Sequence, residues 1–403
     1  MNQGKSFNMP LLSLGMMAVL VAQFFSALAD NAILIVAIAI VKSHDMANLV
    51  PLLQESFVLP FILLAPFVGQ IADAFPKGRV MLVGNVVKFC GALAMLFGVN
   101  PLTAYGLIGI GATMYSPAKY GILTQMFNPS VLVRANGMME GSTIVAILTG
   151  VLMGGWLADI SLDWAFAGVM AAYGLATFAN LFIPNLPAEK SGAHFNPWLL
   201  TRQFMSSVSM LFRNHDSRFS LLGTAMFWGS GTTLRLMLFA WVPAALLIND
   251  NQTPANLMGA VSIGIVLGAV AAGAWVSLAN VNRALLGGLL LGPAIIAMAV
   301  AHDVMFAAAL MVLIGICGGF FVVPLNALLQ ERGHETIGAG NALAVQNFVE
   351  NAAMLCFVGA YGLVISMGVS VSIAVIGFGL MLLVFVSVLS FFRFRFANTR
   401  KGN

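Results

Sequence analysis

The sequence predicts an all-α polytopic membrane protein, with 12 transmembrane helices in two parallel six-helix halves. Three observations predict it: an extreme apolar composition, a one-sided distribution of Lys and Arg, and a weak internal repeat.

Of 403 residues, 60% are apolar and 8% are charged, and the mean hydropathy is +0.96. A soluble domain carries about 25% charged residues. Lipid offers backbone groups no partner except their own helix, so long apolar runs read as spanning helices. A β-barrel would show short alternating segments instead. Cys90, Cys317 and Cys356 fall in apolar runs without metal-ligand spacing. The five histidines sit in or near polar connections, so no histidine relay is visible. No cofactor is expected. The net charge of +4 is no nucleic-acid signal, and no nucleic-acid partner is expected.

Apolar runs bounded by Gly, Pro, Asn or charge give spans at 14–41, 51–74, 80–98, 102–124, 134–158 and 163–184. Six more follow at 218–248, 255–279, 284–301, 304–329, 338–366 and 369–393. The expected organisation is an N-terminal half over 1–184, a cytoplasmic linker over 185–217, and a C-terminal half with a basic tail over 218–403. The linker places Trp198, Leu200, Phe204, Val208 and Leu211 near helical spacing with Arg202 and Arg213, the pattern of an amphipathic interfacial helix.

With the N-terminus in the cytoplasm, the inner connections and termini hold 14 Lys and Arg. They run from Lys5, Lys77, Arg79, Arg134 and Lys190 to Arg393, Arg395, Arg400 and Lys401. The outer connections hold Lys42 alone. That positive-inside bias places both termini in the cytoplasm. Ala27-Leu28-Ala29 imitates a signal-peptide cleavage point. However, the preceding apolar stretch is long, and the chain stays apolar from Ala32 to Val41. Residues 14–41 therefore read as one helix with Asp30 near its middle.

The halves match weakly at an offset near 205. Gly69 and Arg79 meet Gly273 and Arg283, Pro117 meets Pro324, and Asn136 meets Asn341. Such a repeat marks a two-halved transporter with its site at the interface. The same offset takes Asp30 to Arg235, so each half's first helix carries one charge, of opposite sign. Each costs about 2.5–3.5 kcal/mol at mid-bilayer on insertion scales. The pair reads either as a salt bridge or gate, or as two readers of a substrate.

Other intramembrane charges are Glu55, Lys88, Lys119, Glu140 and Glu350. Lys119 and Glu140, at similar depth on successive helices, could pair. Lys88 reads as packing or snorkelling. Gln346 and Asn347 accompany Glu350, with 346 and 350 on one helix face.

The turn after the second span reads Gly69-x-x-x-Asp73, then Lys77-Gly78-Arg79. It resembles the signature loop of the major facilitator superfamily, with Gly78 two residues late. Asp73 could bind a facing helix end or an Arg in one state and release it in the other. Ser277 stands at the equivalent second-half position, so the latch would be one-sided. Gly69, Asp73, Lys77, Arg79 and Glu140 are therefore the candidate gating residues.

VAQFFSALADNA, YSPAKYGIL, ANGMMEGSTI, FWGSGTTLRL, GGFFVVPLNALLQERG and GNALAVQNFVENAAM extend the resemblance over almost the whole chain. Together they resemble the lysophospholipid transporter family of Gram-negative inner membranes. The resemblance implies a secondary transporter or flippase. It would move lysophosphatidylethanolamine and lysophosphatidylglycerol to the cytoplasmic leaflet by alternating access. A separate cytoplasmic acyltransferase/acyl–acyl-carrier-protein synthetase would then re-acylate them.

The residues are compatible with that substrate. A phosphate wants Arg or Lys and an ammonium wants a carboxylate. Asp30, Asn31, Glu55, Tyr115, Lys119, Tyr120, Arg235, Gln346, Asn347 and Glu350 are the candidate substrate contacts. A proton-coupled exporter of small amphipathic compounds would use a membrane carboxylate similarly and is the alternative. No G-x-S-x-G, H-x-x-x-x-D or metal spacing suggests an enzyme, and no G-x-x-x-x-G-K-[ST] suggests direct ATP drive.

Overall fold

The computed structural model describes residues 10–43, 50–189, 196–248 and 252–399. Lys5, Lys190, Arg400 and Lys401 of the charge count lie outside them, as does 190–195 of the expected linker.

The described chain is helical in every expected span. Leu14–Ser43 forms one unbroken 30-residue helix, α1, with Asp30 in its interior. The second span breaks into α2 (Val50–Leu63) and α3 (Ala65–Ala74), bent by 67°. Pro66 opens α3 and explains the break. Its ring removes an amide donor and clashes with the carbonyl four residues earlier. Next come α4 (Lys77–Leu96), α5 (Pro101–Met126), α6 (Pro129–Ile160) and α7 (Leu162–Asn180). Asn100 and Ser161 cap α5 and α7 through their side chains.

Helix α8 (Pro197–Arg213) occupies the expected linker. It buries Leu200, Phe204 and Leu211 and exposes Trp198, Met205 and Met210. The later helices are α9 (His215–Trp241), α10 (Gln252–Trp275), α11 (Ala284–Ile296), α12 (Val304–Thr336), α13 (Ala339–Ser366) and α14 (Val371–Thr399). Short 3₁₀ segments, Leu278–Arg283 and Ala297–Val300, flank α11.

Among the described residues, nine helices are long and apolar enough to cross a membrane, and the bent α2–α3 pair makes ten. Helices α5 and α9 complete the expected spans. They are 26 and 27 residues long. Lys119 in one, and Asp216, Arg218 and Arg235 in the other, lower their hydropathy. The protein is an all-helical polytopic membrane protein.

Two compact units divide the chain. The first holds 1–135, 142–210 and 330–348. Its core is formed by Ile33, Val36, Ile108, Phe166 and Tyr173. Close helix crossings depend on absent side chains. A Cβ on Gly111 of α5 would lie 2.5 Å from the Gly84 carbonyl oxygen of α4 and 2.7 Å from Lys88 Cγ. That crossing seats Lys88 against α5.

The second unit holds 136–141, 211–329 and 349–403. Phe219, Trp241, Met298, Met311, Phe321 and Val386 lie in its core. Gly264 of α10 meets Gly315 of α12, and Gly268 and Gly319 each lie against the backbone of the other helix. This small-x-x-x-small spacing lets spanning helices approach without an aqueous hydrophobic drive.

Candidate functional site

The first unit contains two polar clusters. One is built around Asp30. Ser26 lies one turn before it on α1, while Asn85 and Lys88 lie one turn apart on α4. Lys88 Nζ stands 2.6 Å from Asp30 Oδ2 and donates to Ser26 Oγ at 2.9 Å. Ser26 Oγ donates to Asn85 Oδ1 at 2.6 Å. Tyr173 Oη, from α7, donates to the other Asp30 oxygen at 2.7 Å. The Lys88 ammonium also lies 4.9 Å from the centre of the Tyr115 ring.

Both charges are thus compensated, and each carboxylate oxygen holds a donor. A buried pair is tolerable only with such company, because desolvation otherwise exceeds the Coulombic gain. Two buried donors here, Asn85 Nδ2 and Tyr115 Oη, have no hydrogen-bond partner among the described residues. The assignment of Lys88 to packing or snorkelling is corrected: Lys88 is buried and is the counter-ion of Asp30.

The second cluster surrounds the start of α13. Asp73, fully buried at the end of α3, accepts from the Gly340 amide at 2.7 Å through Oδ1. Its Oδ2 accepts from Asn341 Nδ2 at 2.8 Å and from the Asn341 amide at 3.3 Å. Helix N-termini leave these amides unpaired and carry partial positive charge, which a carboxylate satisfies on both counts. Gly69 permits the approach, since a Cβ there would lie 2.8 Å from Asn341 Cα. Lys77, also buried, stands 3.4 Å from Asp73 Oδ1 and 3.1 Å from Glu189 Oε1. Arg79 is exposed at the start of α4.

The other candidates occupy varied settings. Asn31 spends its amide on the Ala27 carbonyl at 2.8 Å. Glu55 is exposed on α2. Lys119 is buried with its ammonium 4.1 Å from the Tyr120 ring centre. Asn347 donates to Ser116 Oγ at 3.0 Å, and Gln346 is buried. In the second unit, Glu140 is buried and accepts from Asn326 Nδ2 at 3.0 Å. Glu350 is buried there, and Arg235 is exposed on α9. At the position equivalent to Asp73, Ser277 caps the 3₁₀ turn before α11 together with Asn280.

The sequence left Ser26, Asn85, Tyr173, Glu189 and His334 unassigned. The available signals were Ser26 one turn before Asp30, and Asn85 one turn before Lys88. Among the described residues no group of His, Cys, Asp or Glu could hold a metal.

The sequence matches the profile of the Major Facilitator Superfamily over residues 19–355. Proteins named lysophospholipid transporter LplT, from Yersinia enterocolitica and Yersinia pestis, are 51% identical over 374 residues. The match covers 92% of this chain and 92% of each relative. The chain belongs to the LplT family of the major facilitator superfamily. The human organic anion transporter MFSD10 superposes with a TM-score of 0.73 at 15% identity, over 93% of this chain and 99% of that one. The E. coli fucose:proton symporter FucP gives 0.73 at 15% identity, over 94% and 98%. At that identity the likeness speaks for the fold alone.

Proposed function

We propose that this protein is a secondary transporter of lysophospholipids. It moves them across a bacterial inner membrane to the cytoplasmic leaflet by alternating access. The carrying observation is 51% identity to proteins of that name along 92% of both chains. Both termini face the cytoplasm, as the positive-inside count favours. A separate acyltransferase consumes the delivered lysolipid.

The halves over 1–184 and 218–403 rock about a central site. The Asp30–Lys88 pair offers both signs to a zwitterionic head. The carboxylate takes an ammonium, while Lys88, flanked by the donors Asn85 Nδ2 and Tyr115 Oη, takes a phosphate oxygen. Arg235 and Lys119 serve as further phosphate contacts along the path. Asp73 holds the α13 N-terminus in one state and releases it in the other, with Gly69, Lys77 and Glu140 supporting the closed form. Arg79 acts as an orienting charge. A ligand shifts such an equilibrium only by its differential affinity for the two states.

The test is uptake of labelled lysophosphatidylethanolamine into proteoliposomes, at matched incorporation. Wild type is expected to transport it, and Asp30→Asn and Arg235→Ala to lose most uptake. The swap Asp30→Arg/Arg235→Asp is expected not to rescue. No uptake by wild type would sink the substrate assignment. Rescue by the swap would make that pair a gate instead of two head contacts.

A further inference from the structure

The segment joining α7 to α8 is fastened to the first unit along its described length. Ile183 packs against Gly78, where a Cβ would meet it at 3.1 Å, and Pro184 packs against Gly15 in the same way at 2.6 Å. Leu186 is buried. The Pro187 carbonyl accepts from Gln125 Nε2 at 3.3 Å. This strap delivers Glu189 to the start of α13. Glu189 Oε2 accepts from the Ala339 amide at 3.2 Å. Its Oε1 stands 3.1 Å from Lys77 Nζ and 3.4 Å from His334 Nδ1, near the end of α12.

Three successive amides, those of Ala339, Gly340 and Asn341, are therefore covered by two carboxylates from different parts of the chain. Lys77 touches both. Two carboxylates face the Lys77 ammonium, the His334 ring and a helix N-terminus worth about half a positive charge. A solvated linker carboxylate would have no reason to be 12% exposed among these groups.

We infer that Glu189 is a positioning residue of the gate: the linker closes the α13 N-terminus jointly with Asp73, through contacts to Lys77 and His334. This inference rests on the alternating-access reading above. It makes the connection between the halves a working part of the closed state.

The test uses the full chain in proteoliposomes, with Cys90, Cys317 and Cys356 replaced by Ser and a reporter Ala339→Cys. Ala339 is fully buried. A membrane-impermeant maleimide should label the reporter slowly in the parent. Glu189→Gln is expected to raise the labelling rate at least threefold, Asp73→Asn to do likewise, and Glu189→Asp to return most of the way to the parent. Uptake should show an altered maximal rate with the half-saturating lysolipid concentration within twofold. If Glu189→Gln labels at the parental rate while Asp73→Asn labels faster, the inference is overturned. Should the Glu189 variants fail to fold, His334→Gln tests the same carboxylate through its neighbour. Faster labelling supports the inference, and unchanged labelling overturns it. Labelling needs no substrate. A wild type that moves no lysolipid but shows these labelling differences would therefore defeat the transport reading and leave the gate standing.

Discussion

Lys88 Nζ stands 2.6 Å from Asp30 Oδ2, with the lysine side chain 3% and the aspartate side chain 15% exposed. The pair lies on α1 and α4, 58 residues apart in sequence. Removing one member strands the other charge away from water, at a cost of about 3–5 kcal/mol. Lys88→Met should therefore lower thermal stability in detergent sharply. Lys88→Met/Asp30→Asn should recover most of that loss, because no charge is left unpaired. Two single losses that simply add in the double variant would contradict a direct pair.

Tyr173 is the second donor to the same carboxylate. A hydrogen bond to a charged acceptor contributes about 1.5–3 kcal/mol. Tyr173→Phe keeps the ring in the core and removes only that bond. Chemical or thermal unfolding should report a loss in this range. Uptake should weaken through the half-saturating concentration, because Asp30 is less well aimed. A stability within experimental error of wild type would show that the Tyr173 hydroxyl contributes nothing there.

Gly111→Ala places a methyl 2.5 Å from the Gly84 carbonyl oxygen, a backbone atom that cannot swing aside. Overpacking of this kind costs about 1–3 kcal/mol. Gly155→Ala is the control, since nothing lies within 4 Å of its added Cβ. On helix propensity alone it should gain up to about 1 kcal/mol. Opposite signs in a parallel melting experiment are the expected outcome. Equal effects would mean that the α4–α5 crossing is not tight.

Burial alone would push the Glu189 carboxyl up. Contact with His334 and the Lys77 charge outweigh burial and hold it at about 2, against an ordinary 4.5. The folded value lies below the unfolded one. Its contribution is therefore complete above about pH 4.5 and disappears as pH falls through about 2. Wild type and Glu189→Gln should differ in stability by about 3 kcal/mol from pH 7 to pH 5, then converge on acidification. A difference that is small above neutral pH and grows on acidification through the histidine range would assign the effect to the His334 imidazole, whose pKa Glu189 raises.

The helices were legible because lipid permits little else once apolar runs reach spanning length. Asp30 at the middle of α1 was legible for the same reason. Its ion-pair partner was not. The internal offset directed attention to Arg235, while Lys88 sat on a neighbouring helix at a register that no sequence spacing records. Asp73 drew attention because its loop resembles a known signature, which left a facing helix end or an Arg as its partner; the structure puts the Gly340 and Asn341 amides against it. Glu189 was missed because a carboxylate in a linker ordinarily meets water. Only the packing of Ile183, Pro184 and Leu186 shows that this one does not.

Helices α5 and α9 are long but less apolar than the other spans. During synthesis each segment must leave the aqueous channel for lipid on its own merits or together with a neighbour. Alone, α5 would carry Lys119 into hydrocarbon, a step opposed by about 2.5–3.5 kcal/mol. Helix α4 precedes it across a short turn, and the Gly84–Gly111 crossing lets the two backbones meet. The two helices can therefore pack closely, although α4 brings Lys88, whose counter-ion Asp30 stands on α1. The glycines that seat Lys88 in the finished protein thus also mark the neighbour that α5 can pack against as it enters lipid.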